Sequence, residues 1–176
     1  MLNTIKAHKS SRNDLNKYLN HSTIEYYNIV TNELIIRMKN IFHQWFNTHP
    51  EPNKNKAKLI QELLPNNPHI FILKFDEKDI GCIICAISNT YCLGDVGFDL
   101  CRINTYPNAT LFLDFFICQY LKEQLNINTY FIGGYVDGNT SLKKYKDKWA
   151  SGKINTYGLN KNYFSDIINI ILERYD

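Results

Sequence analysis

The 176-residue chain lies below the roughly 250 residues at which single cores stop growing, and its 44% hydrophobic and 21% charged residues exclude a disordered or low-complexity chain. A net charge of +3 and a pI near 8.5 argue against a general nucleic-acid-binding surface, which needs clustered basic residues and a more alkaline balance. The first twenty residues hold no apolar run of the kind a secretory signal needs, and the longest uncharged stretch, Ile80 to Gly94, is short of the roughly 20 apolar residues that span a bilayer. A cytoplasmic protein with no membrane segment is expected.

Residues 21–49 place Ile24, Tyr27, Leu34, Ile35, Met38, Ile41, Phe42 and Trp45 on one helical face. This spacing predicts a single long amphipathic helix, capped by Ser22 or Thr23, with Glu25 in its first turn and Pro50 and Pro52 beyond its end. A second helix is expected from Asn55 to Leu64, followed by an irregular link imposed by Pro65 and Pro68. At His69 the period changes. HIFILKF, a polar turn at Asp76 to Lys78, and the β-prone run Ile80 to Ser88 predict a hairpin.

The segment YCLGDVGFDLCRI then alternates, with Val96, Phe98 and Leu100 on one face and Gly97, Asp99 and Cys101 on the other, as a third strand would. After Pro107 and Asn108, ATLFLDFFICQYLKEQL is apolar around nearly its whole circumference until Lys122, which suits a central helix buried against a sheet. TYFIGG predicts a short buried strand, residues 137–149 a helix, KINTYGL a strand, and Tyr163 to Arg174 a C-terminal helix. The expected fold is α/β (α+β): a central mixed, mostly antiparallel sheet flanked by helices. A strand, helix, strand crossover makes one neighbouring pair parallel, and ligands tend to bind where such strands splay. One domain spans 1–176: a helical part to residue 68, a sheet core over 69–160, and a terminal helix.

Five cysteines, Cys82, Cys85, Cys92, Cys101 and Cys118, are odd in number and sit in apolar segments, so they read as reduced, buried thiols. Cys82 and Cys85 would point to opposite faces of a strand, and no second Cys or His pair stands at a zinc-binding spacing, so no metal is expected. The histidines are scattered, none beside a serine or cysteine in a nucleophile motif, which disfavours covalent catalysis.

The order of elements, together with YPNATLFLDFFICQYLKEQLNINTYFIGGYVDGNTSLKKYKDKW, resembles the GNAT acyltransferase superfamily, within it the Fem-like and related single-domain branch. The echo has three parts: a Pro-Asn helix start, a strand ending in Gly133-Gly134, and a short helix with Ser-Leu-x-x-aromatic-Lys-x-basic-aromatic at Ser141 to Trp149. The resemblance implies transfer of an acyl group, most simply acetyl from acetyl-CoA or another acyl-CoA, to a small-molecule primary amine. It also allows an aminoacyl-tRNA or acyl carrier protein as donor, or a non-catalytic binding module on the same fold. The family's glycine-containing donor turn is missing: Cys101 to Asn108 holds no glycine. Glycine lets backbone N–H groups approach a pyrophosphate unobstructed, so the donor stays open. Fem-like enzymes also commonly carry two copies of the module.

Lys146 matches the lysine of the family pattern and would neutralise a phosphate or an oxyanion; the alternative is a solvated lysine in the run Lys143, Lys144, Lys146, Lys148. Tyr145 matches the tyrosine that many members use to protonate a leaving thiolate, or else packs against Trp149 one turn on. Asp99, on a strand expected to border the cleft, would take the amine's proton directly or through water, unless it bonds the neighbouring loop backbone. Arg102, Asn104, Thr105 and Asn108, leading into the central helix, would hold the donor's phosphates with Lys146.

Overall fold

The computed structural model describes residues 16–48, 58, 60, 61, 64, 68–87, 91–101, 103 and 105–131. The expected elements after residue 131, the pair Gly133-Gly134, and the candidates Arg102, Asn104, Tyr145 and Lys146 lie outside the described residues.

Five strands, β1 (Ser22–Tyr27), β2 (His69–Phe75), β3 (Lys78–Ile87), β4 (Tyr91–Asp99) and β5 (Thr129–Phe131), form one sheet in the order β1-β2-β3-β4-β5. The first four are antiparallel to their neighbours and β5 runs parallel to β4. Helix α1 (Asn32–Thr48) covers one face and α2 (Ala109–Gln124) the other. Adjacent residues of β4 show the division. The Phe98 ring meets Phe42 of α1 edge-on at 5.6 Å, whereas Asp99 shares the opposite face with Gly81 and Leu113 of α2.

The single helix expected over 21–49 does not form. Residues 16–21 are helical, STIEYY becomes β1, and α1 starts only at Asn32. Two β-branched residues and two tyrosines suit a strand at least as well as a helix, and β1 gains a full antiparallel ladder on β2, from Ser22↔Phe75 to Tyr27↔Ile70. The cap moves accordingly. Thr31 Oγ1 accepts the N–H of Leu34 at 3.2 Å, and Glu33, not Glu25, is the acid of the first turn. The N-terminal part is thus not purely helical. Helical residues Lys58, Ile60 and Gln61, with Leu64 N–H donating to Ile60 O at 3.1 Å, stand where the second helix is expected.

The β2–β3 hairpin turns on Asp76 and Glu77, both at positive φ (45° and 61°), the conformation of a two-residue hairpin loop whose twist matches that of the strands. Helix α1 buries Leu34, Met38, Ile41 and Trp45 along one stripe. In α2 the buried set Ala109, Leu111, Phe112, Leu113, Ile117 and Leu121 wraps most of the first two turns, as expected for a helix pressed on a sheet. Each such leucine, isoleucine or phenylalanine contributes roughly 1.5–3 kcal/mol on burial.

One polar cluster ties α1 to the sheet. Arg37 donates from Nε and Nη2 to the two oxygens of Asp79 on β3, both at 2.8 Å, and from Nη2 to Glu25 Oε2 on β1 at 2.6 Å. Its Nη1 also donates to Tyr27 Oη at 2.6 Å, and that hydroxyl donates to Glu25 Oε2 at 2.7 Å. Three elements are joined by one guanidinium. All five cysteines are free thiols. The expectation that all are buried holds for Cys82, Cys85 and Cys92, but Cys101 is half-buried and Cys118 is exposed, because position 118 of α2 turns away from the sheet. Among the described residues, no helix is long and apolar enough to cross a membrane.

Candidate active site

The junction of β4 and β5 is where the sheet changes from antiparallel to parallel. Among the described residues, which reach Phe131 on β5, the parallel pairing runs from Tyr91↔Thr129 to Leu93↔Phe131, and β4 itself extends to Asp99. On its other edge β4 carries a bulge: Ile84 pairs with Val96 but Cys85 with Gly94, so Asp95 has no opposite residue on β3. The bulge resets the alternation. Gly94 faces α2, on the side of Gly97 and Asp99, although strict alternation would put it with Phe98. Cys82, opposite Phe98, and Cys85, opposite Gly94, accordingly fall on different faces.

Gly94 leaves room for Tyr130 of β5. A Cβ at Gly94 would stand 2.7 Å from the Tyr130 hydroxyl and 3.2 Å from Cε2 and Cζ of its ring. That hydroxyl donates to Asp114 Oδ1 on α2 at 2.8 Å. Burial, reinforced by the Asp114 carboxylate, raises the tyrosine pKa well above its ordinary value, so the phenol stays a donor. The thiols of Cys82 and Cys85 are also raised, Cys82 by burial first and Cys85 by its hydrogen bond with Cys92 and then by burial, which makes both poor nucleophiles.

Asp99 ends β4 and is buried (9% exposed). Its Oδ1 accepts the N–H of Cys101 at 2.8 Å, a local turn two residues on, and its Oδ2 accepts the hydroxyl of Thr110, in the first turn of α2, at 2.6 Å. Both carboxylate oxygens therefore clamp the 100–108 loop to the helix it feeds. The loop is a chain of turns, Ile103 N–H to Leu100 O at 2.9 Å and Tyr106 N–H to Ile103 O at 2.8 Å. From outside it, the Tyr18 hydroxyl donates to Pro107 O at 2.9 Å, and Lys17 Nζ donates to the carbonyl of the exposed Thr105 at 3.0 Å.

Asn108 holds the N-cap position in the left-handed region (φ 59°), and its side chain does not cap the helix; no acidic residue lies in the first turn. Such a helix start offers backbone donors and the positive end of the dipole to an anion. The Asp99 carboxylate on Thr110 already brings one negative charge there, and Lys17 brings a positive one nearby. Of the predicted phosphate-binding residues, Thr105 and Asn108 therefore stand beside the start of α2, with Asp99 behind them. No part of the sequence singled out Tyr130 or Gly94 as site residues; Asp114 was visible as the lone charge in an apolar helix.

No family model and no curated protein matches the chain. Solved structures do. A ribosomal-protein-alanine N-acetyltransferase from Brucella melitensis biovar Abortus superposes with a TM-score of 0.55 at 10% identity, over 79% of this chain and 98% of that one. An aminoglycoside N-acetyltransferase in complex with CoA gives 0.52 at 14% identity, over 80% and 95%. The structure of L-PGS from Bacillus licheniformis gives 0.58 at 15% identity, over 80% of this chain and 46% of that one. These likenesses show the fold: a mixed α/β architecture of the GNAT acetyltransferase type.

Proposed function

We propose that the chain is an N-acyltransferase that moves an acyl group, most simply acetyl, from acyl-CoA to a primary amine by direct attack. The observation that carries this reading is the change from antiparallel to parallel pairing at β4–β5 beside a bulge, with the start of α2 following the C-terminal end of β4. A donor's phosphates would meet α2 and the residues Arg102, Asn104, Thr105, Asn108 and Lys146, and its thioester would lie along β4 on the side of its parallel neighbour. Solved structures of this fold that hold CoA or aminoglycosides support a CoA donor and a small amine acceptor. The fit is partial: the helix start suits an anion, but the loop offers no glycine and Asp99 already sits behind it.

In the reaction, the amine nitrogen attacks the thioester carbonyl carbon, the C–S bond breaks, the amine loses a proton, and the thiolate takes one. A β4 backbone N–H polarises the carbonyl, and Tyr145 protonates the thiolate. Asp99 takes the amine's proton through water while keeping the loop in place. Most of the rate comes from positioning, so no triad is needed. The reaction belongs in the cytoplasm, where acyl-CoA is available.

The glycine-free loop favours one second reading, in which an aminoacyl-tRNA or acyl carrier protein replaces acyl-CoA, as in Fem-like enzymes, and the lysines at 143–148 meet its phosphates. The test is amine-dependent release of free CoA from acetyl-CoA across amino sugars, amino acids, peptides and polyamines, followed by mass spectrometry. Turnover that falls about a hundredfold in Tyr145→Phe, the lower end for a lost general acid, supports the mechanism. Full activity in that variant contradicts the assigned role, and no release with any amine contradicts the CoA reading.

A further inference from the structure

The side chain of Tyr18 is fully buried, its ring stacked on Phe112 of α2 at 5.2 Å and edge-on to Phe75 of β2 at 5.6 Å. A phenylalanine would fill that space with no hydroxyl to satisfy. The hydroxyl instead donates to the carbonyl of Pro107 at 2.9 Å, directly before Asn108, a non-glycine residue in the left-handed region (φ 59°, ψ 22°). Such backbone is disfavoured and persists where its surroundings impose it. The Pro107–Asn108 peptide is trans, so a carbonyl turned in to Tyr18 turns the Asn108 N–H the opposite way. One bond from outside the loop thus fixes the plane of the peptide from which α2 starts. The helical residues 16–21 that carry Tyr18 are themselves held on the β2–β3 hairpin: the Asp76 N–H donates to His21 O at 2.9 Å, and His21 Nδ1 lies 3.1 Å from Asp76 Oδ1. Tyr106 packs edge-on against the same Phe75 at 5.7 Å.

We infer that Tyr18 is a positioning residue whose hydroxyl holds the peptide ahead of Asn108 and so sets the left-handed start of α2, and with it the affinity for the acyl donor; the second half of this statement rests on the reading of that start as the place where the donor's phosphates bind. Fully buried, the phenol acts through the backbone and not on the reacting atoms. The strain at Asn108 and the contribution of one hydrogen bond are of the same order. Without the hydroxyl the left-handed start is therefore populated only in part, and the apparent dissociation constant rises by the inverse of that fraction.

Amide hydrogen exchange of the full chain, read by mass spectrometry, tests the brace in Tyr18→Phe, which keeps the ring. The N–H groups of Tyr106, Ala109 and Phe112 donate to the carbonyls of Ile103, Tyr106 and Asn108 at 2.8, 3.4 and 3.1 Å. Their exchange should quicken about tenfold, the factor that a buried carbonyl left without its donor supports. The strand ladders should be unchanged. Arg37→Met, which loosens α1 on the other face of the sheet, is the control, and its exchange should rise in α1 and not over residues 105–112. Unchanged exchange over 105–112 in Tyr18→Phe, or an increase spread evenly over all strands, overturns the proposal. In the same proteins the acetyl-CoA dissociation constant should rise about fivefold in Tyr18→Phe and stay at the wild-type value in Arg37→Met. Wild-type affinity in Tyr18→Phe despite local opening, or an equal loss in Arg37→Met, would refute the link to the donor. A wild type that binds no acyl-CoA would instead refute the donor reading, while the exchange pattern still judges the brace.

Discussion

Replacing Arg37 with methionine keeps the apolar stem and removes the fork that joins α1 to β1 and β3. Side chains of Arg37 and Asp79 are 21% and 20% exposed and that of Glu25 is 33% exposed, so the cluster lies between the surface and the interior. Exposed ion pairs contribute under about 1 kcal/mol and buried ones cost about 3–5 kcal/mol when one partner is lost. Two bonds to Asp79, one to Glu25 and one to Tyr27 disappear together, and two carboxylates are left facing each other's vicinity with less compensation. An intermediate loss of about 2–3 kcal/mol is expected, or ~5–10 °C in Tm for a chain of this size. Thermal unfolding followed by circular dichroism measures it, with Asp79→Asn and the double variant completing a cycle. The coupling should exceed about 1 kcal/mol. A Tm within 2 °C of wild type, roughly the effect of a surface pair, or strictly additive single variants, would refute the idea that this cluster anchors α1.

Glu77→Gly should raise Tm by roughly 2–3 °C, because a non-glycine residue at positive φ is strained and glycine at the second turn position relieves it; the exposed Lys74–Glu77 pair it removes contributes little, and a lower Tm would contradict the turn assignment. Glu25 is partly buried, which raises its pKa, but the Tyr27 hydroxyl and Arg37 outweigh this and hold it below its ordinary value. A depressed carboxyl stabilises the fold above its unfolded pKa and loses that contribution as pH falls through the folded one, so Glu25→Gln should lower Tm at pH 7 and match wild type in strong acid. A gap that persists in acid would show that the charge is not the cause. Burial of part of its side chain pushes the Cys118 thiol up to about 12, which slows it despite its exposure, so native alkylation with mass spectrometry should label Cys118 and Cys101 slowly and leave Cys82, Cys85 and Cys92 until urea is added; early labelling of Cys82 would contradict its burial.

The elements most legible in the sequence were those where local preference and tertiary environment agree. HIFILKF alternates with a polar turn and a second β-rich run, and it folds as the hairpin so predicted. The apolar circumference of 109–121 announced a helix under a sheet. STIEYY misled because Ile24 and Tyr27 fit helical spacing as well as a strand, and only the partner strand far along the chain, through Ile24↔Leu73, decides between them. Its cluster of Thr, Ile and Tyr was the signal available. The Arg37 cluster was illegible for a related reason: Glu25, Tyr27 and Asp79 converge on it only once β1, β2 and β3 are in register. In the site, the reading of Asp99 as bonded to neighbouring loop backbone anticipated its contact with Cys101, while its bond to Thr110 required the crossover. The bulge at Asp95 left no trace in composition, so the turn of Gly94 toward Tyr130 could not be foreseen.

Thermal unfolding of the full chain with acetyl-CoA, longer acyl-CoAs and free CoA tests the proposed donor most directly, since a ligand that binds only the folded state raises the midpoint. At a hundredfold excess over the dissociation constant the gain is about 2.7 kcal/mol, or ~5–10 °C here, and it should shrink in Arg102→Ala and Lys146→Ala. A midpoint that does not move with any of these ligands at millimolar concentration would contradict a CoA-dependent transferase.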